Sequence, residues 1–538
     1  MIIATAGHVD HGKTKLIEAI TGVNSDRLPE EKNRGMSIDL GFAYHDLGNG
    51  VILNFIDVPG HERFINNLLS GFSNVDLGLL VIAADDGPMP QTEEHLSILQ
   101  LLQVKNCIIV LTKIDKVNQK RLDNVCCLTK KMVHKTIFSD AEIFHISNKT
   151  SQGIDNLVSH LKIIALNYHH KEVKGNFRLS VDRRFLVKGA GIVITGTVVS
   201  GEVSVGEELI HSKSGESLKI RAIHSQSKKS KNGIQGHRCS LNITGQKITI
   251  DKISRGDWIL SKNVFFVTNR LDAVLSILKN EKKIFKHWTA IHLYLGSGNV
   301  TGRIAILGSF SINPGEKKIV QLVLDEPVHA VFDDKFVIRD ISSSRTIGGG
   351  YILDPFAKKN NNTNFRRFRS ERLKLISPNS SKIVLNNLLL HYIEGIGLKY
   401  FLMSRNLTAS EFEKIIEPLD IVTELYKKHK WLILKTNWIC LQKIILDKLL
   451  KKDQPLSGQG MELNTILKVI KLNVPNFVVQ NILNESLKSE KIKKFKNLFF
   501  HPYHFSSYIK NMSWWFDIEK KFKKYGFQPP KIREISLE

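Results

Sequence analysis

Along residues 1–166, short apolar runs alternate with segments of helical length and period. Ile2–Ala6, Val51–Ile56, Leu79–Ala84, Cys107–Leu111 and Ile143–Ile146 read as buried strands. Lys13–Ile20, His61–Leu69, Gln91–Leu102 and Gln119–Val133 read as the helices between them. That alternation predicts a parallel sheet with helices on both faces. Ligands of such sheets sit at the carboxyl ends of the strands. The polar stretch Asn167–Gly175 reads as a linker. From Phe177 to Pro355 the chain is dense in Val, Ile and Thr, punctuated by glycines at 189, 191, 196, 201 and 206. This pattern predicts two β-barrels, over 175–260 and 264–355, divided near Ser261-Lys262-Asn263.

Asn360–Asn364 reads as a second linker. Beyond it helical periodicity returns at Ile383–Ile393, Ala409–Leu419, Ile444–Leu450, Leu463–Leu472 and Val478–Leu487. Short aromatic or β-rich pairs follow, such as Trp431–Leu434 with Trp438–Leu441. Helices followed by a small hairpin predict winged-helix-like modules over 365–441 and 442–504. A partial third module is expected over 505–538, near Trp514-Trp515.

The 538 residues allow three or more domains of roughly 100–200 residues each. No run of 18 uncharged apolar residues occurs, so no membrane span is expected. The N-terminus lacks a basic region and reads as a strand, not a signal peptide. Five cysteines without a C-x-x-C pair point to reduced thiols in a cytoplasmic protein. The net charge is +25, and residues 356–538 hold 33 Lys and Arg against 16 Asp and Glu. A basic surplus there suits RNA. Abundant Lys, Asn and Ile with scarce Ala would also follow from an AT-rich coding sequence, so charge alone leaves both causes open.

The segment Gly7-His8-Val9-Asp10-His11-Gly12-Lys13-Thr14 fits the G-x-x-x-x-G-K-[ST] phosphate loop, between a predicted strand and a predicted helix. The glycines let backbone N–H groups face phosphate oxygens, and the helix N-terminus adds partial positive charge. Lys13 would reach the β- and γ-phosphates, and Thr14 would offer a hydroxyl to Mg²⁺. Asp57-Val-Pro-Gly60 follows an apolar strand. Its carboxylate can hold Mg²⁺ through water, and Gly60 can swing its N–H to the γ-phosphate. Thr112-Lys113-Ile114-Asp115 matches a guanine-reading motif. Asp115 can accept both guanine N1–H and N2–H₂, Lys113 can lie along the base, and Ser147 can address O6. The cofactors expected are therefore GTP and Mg²⁺. Ser37, where a first switch should lie, can give a second hydroxyl to Mg²⁺. His61 can orient the attacking water. No Gln follows Asp57-Val-Pro-Gly60 and no arginine in cis is evident, so intrinsic hydrolysis should be slow and need a partner. The fold class expected is multidomain: an α/β P-loop GTPase domain over 1–170, two β-barrels, then α+β winged-helix-like modules.

The motifs G-H-V-D-H-G-K-T, D-V-P-G-H-E and T-K-x-D resemble the translational GTPases of the elongation factor Tu group. Thr21–Gly41, Asp182-Arg183 with Phe185–Gly191, and Arg339-Asp340 with Thr346–Gly350 narrow the likeness to the bacterial selenocysteine-specific elongation factors. The resemblance covers Met1 to about Pro355 and continues more loosely beyond. It implies a monomer whose first barrel holds the aminoacyl end of selenocysteinyl-tRNA, and whose His61 is aligned by the ribosome. It also implies that Asp182, Arg183 and Arg238 surround the selenol. A selenol ionises at neutral pH and a serine hydroxyl does not, so cationic groups would favour selenocysteine. Ser37 stands where the family usually has threonine, and Lys15 where a second threonine is common. The family's tail usually holds four winged helices, the last gripping a messenger RNA hairpin. Here the chain stops at Glu538, and that surface is expected to be missing. Two other readings stay open: a truncated GTP- and RNA-binding remnant without recoding activity, and another translation-type GTPase. The latter could be the GTPase subunit of a sulfate adenylyltransferase or an initiator-tRNA carrier.

Overall fold

The computed structural model describes residues 1–34, 36–48, 51–61, 64–72, 75–167, 172–359, 363–377, 380–426, 429–450, 460–470, 472 and 474–524. Two compact units result, one of residues 1–379 with 402–412, the other of 380–401 with 413–538.

In the first unit, strands Gly41–Asp46, Ile52–Asp57, Ile2–Ala6, Leu77–Ala83, Asn106–Thr112 and Ile143–His145 lie side by side in that order. The last five run parallel. Gly41–Asp46 pairs antiparallel with Ile52–Asp57, so the sheet is not wholly parallel as its sequence pattern implied. Only five residues separate these two strands in the chain, too few for the crossover that a parallel pair would need. Ile2–Ala6 and Leu77–Ala83 are buried throughout, as strands covered on both faces must be. Helix Gln119–Val133 matches its predicted span. Asn118 caps it, accepting from the Arg121 N–H.

Strands Glu208–His211, Trp258–Leu260, Arg178–Val187, Gly191–Ser200, Arg238–Thr244 and Ser217–Ser225 close into a first barrel, because Glu208–His211 also pairs with Ser217–Ser225. Strands Thr268–Ile277, Lys317–Val328, Gly298–Ile306, Thr289–Leu295, Lys335–Asp340 and Thr346–Asp354 close a second. Tyr294 and Val337 of the second barrel share one apolar core with helix Pro90–Leu101 of the parallel-sheet domain. Helix Thr363–Ile376 is pinned to the second barrel by Arg369. Its Nε donates to Asp272 at 2.6 Å and its Nη2 to Asp354 at 2.8 Å. Burial, together with the second carboxylate, pushes Asp272 up to about 6 against the pull of Arg369. A carboxyl raised on folding binds its proton more tightly when folded. Its contribution to stability is therefore full below the unfolded value near 4 and is lost as pH rises to about 6. Asp272→Asn should remove that slope from urea midpoints measured between pH 4 and 8. An unchanged slope would discard this account.

In the second unit, helix Ser381–His391 precedes a sheet of Ile396–Gly397, His429–Leu434 and Ile421–Tyr426. Trp431–Leu434 thus pairs within Ile421–Tyr426, whereas Trp438–Leu441, expected as its partner, lies in helix Lys435–Leu450. Trp438 and Leu441 are buried three residues apart on one helical face, a spacing that the apolar run concealed. Helices Leu463–Ile470 and Asn476–Lys488 are followed by the hairpin Lys493–Phe495 with Leu498–Phe500. Helix Pro502–Lys524 runs through Trp514-Trp515, while residues 525–538 of the expected third module lie outside the described residues. Among the described residues no helix is long and apolar enough to cross a membrane.

Candidate functional site

The phosphate loop leaves strand Ile2–Ala6 and enters helix Lys13–Thr21. Asp10 and Gly12 take left-handed backbone at φ 60° and 87°, the alternation that turns successive N–H groups to one side. Lys13 is buried, and its ammonium donates to the carbonyls of Gly7 at 3.1 Å and His8 at 2.7 Å. Burial pulls it down to about 8 despite nearby carboxylates. His11 is fully buried against the Val81 carbonyl, with burial holding it near 4 and so neutral. Gly60 lies directly on the loop. A Cβ there would come within 2.5 Å of Lys13 Nζ and 2.7 Å of Val9 N, so only glycine allows that approach.

Thr14, Ser37 and Asp57 converge. The Thr14 hydroxyl lies 2.6 Å from Asp57 Oδ2 and 3.0 Å from Ser37 Oγ. Thr5 donates to the other Asp57 oxygen at 3.0 Å. Two residues that sequence reading passed over complete the group. Ser25 donates to Asp57 at 2.7 Å, and Asp26 accepts from Ser37 at 2.8 Å. Burial raises Asp26 above its ordinary value. A signal existed, since Asp26 lies just upstream of Pro29-Glu30-Glu31, which opens the short helix Pro29–Arg34. Glu31 ties this segment down, accepting from the N–H groups of Ile38 and Asp39 at 3.0 Å each. All donors are hydroxyl or carboxylate oxygens, the set a hard cation such as Mg²⁺ takes.

Thr112 is buried and donates to the His11 carbonyl at 2.6 Å, fastening the guanine motif to the phosphate loop. Lys113 has φ 57° and donates to Asp85 at 3.3 Å. Asp115 accepts from the Ser147 hydroxyl at 2.6 Å, a bond that holds the carboxylate below its ordinary range. Ser147 therefore aims Asp115. Asn148, absent from the sequence reading, reaches the Gly12 carbonyl at 3.3 Å. His61 is half-buried, its ring 6.1 Å from that of Phe64. Glu62, the last residue of the D-V-P-G-H-E likeness, lies outside the described residues.

Helix Pro90–Leu101 adds a connection that the sequence did not reveal. His95 is buried, and its Nδ1 accepts from the Gly7 N–H at 2.9 Å. Burial drives its pKa far down, so the ring is a neutral acceptor. The preceding residue, Glu94, accepts from Arg339 at 2.5 Å and from Thr346 at 2.8 Å, both on the second barrel. Adjacent residues of one helix thus touch the phosphate loop and the second barrel.

A cleft of about 590 Å³ opens between segment 25–40 and the first barrel. Arg27, Asp39, Asp182, Arg183 and Arg255 are among its walls. Asp182 is 9% exposed. It accepts two hydrogen bonds from Arg238, at 2.8 and 2.9 Å, and one from Thr195. Burial alone would raise Asp182, but the Arg238 guanidinium outweighs it and holds the carboxyl below its ordinary range. Arg238 also covers the Phe42 ring at 3.8 Å. Arg183, the next residue along, turns away. It donates to the Asp39 carboxylate and the Leu40 carbonyl at 2.6 Å each. Successive strand residues point to opposite faces, and a register shift lies between Val181 and Arg183 in the pairing with Gly191–Ser200. Burial first, then the like charges of Arg183 and Arg238, push Arg27 below its ordinary value against the opposing pull of Asp39 and Glu31.

Two family descriptions match the chain: the elongation factor Tu GTP-binding domain over residues 1–166, and the β-barrel domain of selenocysteine-specific elongation factor over residues 272–359. The selenocysteine-specific elongation factor of Haemophilus influenzae is 32% identical over 542 residues, covering 100% of this chain and 84% of that protein. That of Escherichia coli K12 is 41% identical over 353 residues, covering 66% of this chain and 55% of that protein, so the match spans little more than half of the relative's length. The crystal structure of a bacterial selenocysteine-specific elongation factor superposes with a TM-score of 0.74 at 28% identity. It covers 100% of this chain and 85% of that one.

Proposed function

As a member of the selenocysteine-specific elongation factor family, the chain is a translational GTPase, and we propose that it carries selenocysteinyl-tRNA to the ribosome at recoded UGA codons. The observation that carries this reading is the cationic cleft around the Asp182–Arg238 pair. Arg27, Arg183 and Arg255 line or approach the same space, where a selenolate gains from positive charge and a neutral hydroxyl does not. Asp39 stands two residues from Ser37 and accepts from both Arg183 and Arg255. Order at the phosphates thereby reaches the cargo cleft through one short segment.

When bound, Mg²⁺ neutralises phosphate charge. Thr14 and Ser37 would hold it directly, and Asp57 and Asp26 would face its waters. Lys13 places its charge at the phosphates, and His61 orients the hydrolytic water once the ribosome aligns it. The helices and hairpins of 380–524 serve as winged-helix-like modules for RNA, a messenger hairpin among the candidates. The working place is the cytoplasm, as a monomer. The decisive experiment measures binding of the GTP-loaded chain to selenocysteinyl-tRNA and to the same tRNA charged with serine. We expect a preference of at least about 100-fold, on the order of 3 kcal/mol. Equal binding would sink the reading.

A further inference from the structure

The second barrel carries an aromatic cluster that the functions above do not use. Trp288 immediately precedes strand Thr289–Leu295 and has left-handed backbone at φ 69°. Bulky side chains rarely adopt that conformation, and where they do the surroundings must enforce it. Here the Trp288 N–H donates to the Ile304 carbonyl at 2.7 Å. Its own carbonyl accepts from Arg303 at 3.4 Å. The neighbouring His287 N–H donates to the Phe310 carbonyl at 2.8 Å, and His287 Nδ1 accepts from the Ile306 N–H at 3.0 Å. This framework does not bury the rings. Trp288 is 46% exposed and Phe310 78%. His287 lies between them, its centroid 6.2 Å from Trp288 at an interplanar angle of 30° and 6.3 Å from Phe310. Trp288 and His287 lie 30° from parallel while Phe310 meets His287 edge-on at 74°, so the rings form a stepped aromatic shelf, exposed at Trp288 and Phe310 and held by a strained backbone.

The rim is basic. Lys286 is exposed and pairs with Ser311, the residue after Phe310. Lys318, on strand Lys317–Val328, reaches over with its ammonium 3.2 Å from Ser309 Oγ and 3.0 Å from the Ser311 carbonyl. Arg303 is exposed beside Trp288, and Lys282 and Lys283 occupy the preceding turn. Of the nearby acids, Glu281 is largely buried against Arg345, whereas Glu316 is half-exposed, accepts from Asn313 and pairs with Lys318 at 3.7 Å.

We infer that this shelf stacks an unpaired base of the transfer RNA the chain carries. The inference rests on the proposed function, and the shelf belongs to the same compact unit as the cargo cleft. Aromatic faces with a cationic surround are how proteins hold unstacked RNA bases. A carrier must grip its RNA before it meets a ribosome, which favours transfer RNA over ribosomal RNA as the occupant.

The test uses the full chain with GTP, Phe310→Ser and Trp288→Gly, and a mobility-shift assay with selenocysteinyl-tRNA in the absence of ribosomes. Glycine accepts φ 69° without strain, so Trp288→Gly should retain the barrel. Should it unfold, the highly exposed Phe310 decides alone. Each variant is expected to weaken tRNA binding about tenfold with GTP affinity unchanged. Wild-type tRNA affinity in the folded variants would overturn the inference. A defect seen only with ribosomes present would assign the shelf to ribosomal RNA and likewise overturn it. If the wild-type chain binds no aminoacyl-tRNA, the proposed function fails and the inference with it, a result distinct from variants that match a binding wild type.

Discussion

His61→Ala is expected to bind GTP like the wild type and to lose about 10³-fold in ribosome-stimulated hydrolysis. Gly60 lies against Val9 and Lys13 at distances only a glycine permits. His61 is the next residue, so its position follows that of the phosphate loop. The motif offers no glutamine after Asp57-Val-Pro-Gly60 to orient water, and no arginine in cis is evident. An imidazole is then the side chain placed to do it. The groups proposed to hold the nucleotide, Lys13, the loop amides and Asp115, are untouched by the substitution. Single-turnover hydrolysis with and without ribosomes separates the two properties. A wild-type stimulated rate would remove His61 from the mechanism, whereas weakened GTP binding would show that its role is structural.

Asp115→Asn should lower GTP affinity by on the order of 10²–10⁴ and raise affinity for xanthosine triphosphate. Sites built around a specific hydrogen-bond pattern reject a mismatched partner by factors of this size. A carboxylate accepts two N–H groups of guanine. An amide offers one donor and one acceptor, which suits the carbonyl that xanthine carries in place of the amino group. Ser147 makes the substitution clean, because its hydroxyl can still donate to the remaining amide oxygen at the position where it now holds Asp115 at 2.6 Å. Competition binding with the two nucleotides reads the outcome, and unchanged GTP affinity would refute the base-reading role.

Much of this site was legible because its chemistry is written in consecutive residues. Gly7 to Thr14 supplies glycines, lysine and hydroxyl within one turn between strand and helix, and the local backbone does the rest. Helix Gln119–Val133 could be read to its ends, since its apolar face and its Asn118 cap are both local. Reading failed where one pattern admits two structures. Trp438–Leu441 is apolar and aromatic enough for a strand, but its spacing also fits a buried helical face, and packing chose the helix. Gly41–Asp46 was missed because an edge strand, half-exposed along its length, lacks the continuous apolar run of its buried neighbours.

The sequence by itself determined that this chain is a GTP-binding protein with a phosphate loop between strand and helix, and that two barrels follow. Those properties depend on short-range backbone geometry and on periodicity, which neighbouring residues encode together. The tertiary structure alone decided how the parts communicate. Arg183 meets Asp39 across 144 residues of chain, and Arg339 meets Glu94 across 245. Each is an unremarkable charge in its own segment. It finds a partner only after each barrel has closed and carried one strand end against a switch segment or a helix of the GTPase domain. The separate pairing of Phe285–Lys286 with Ser311–Ile312 likewise brings His287 and Phe310 ring to ring, although 23 residues separate them in the chain.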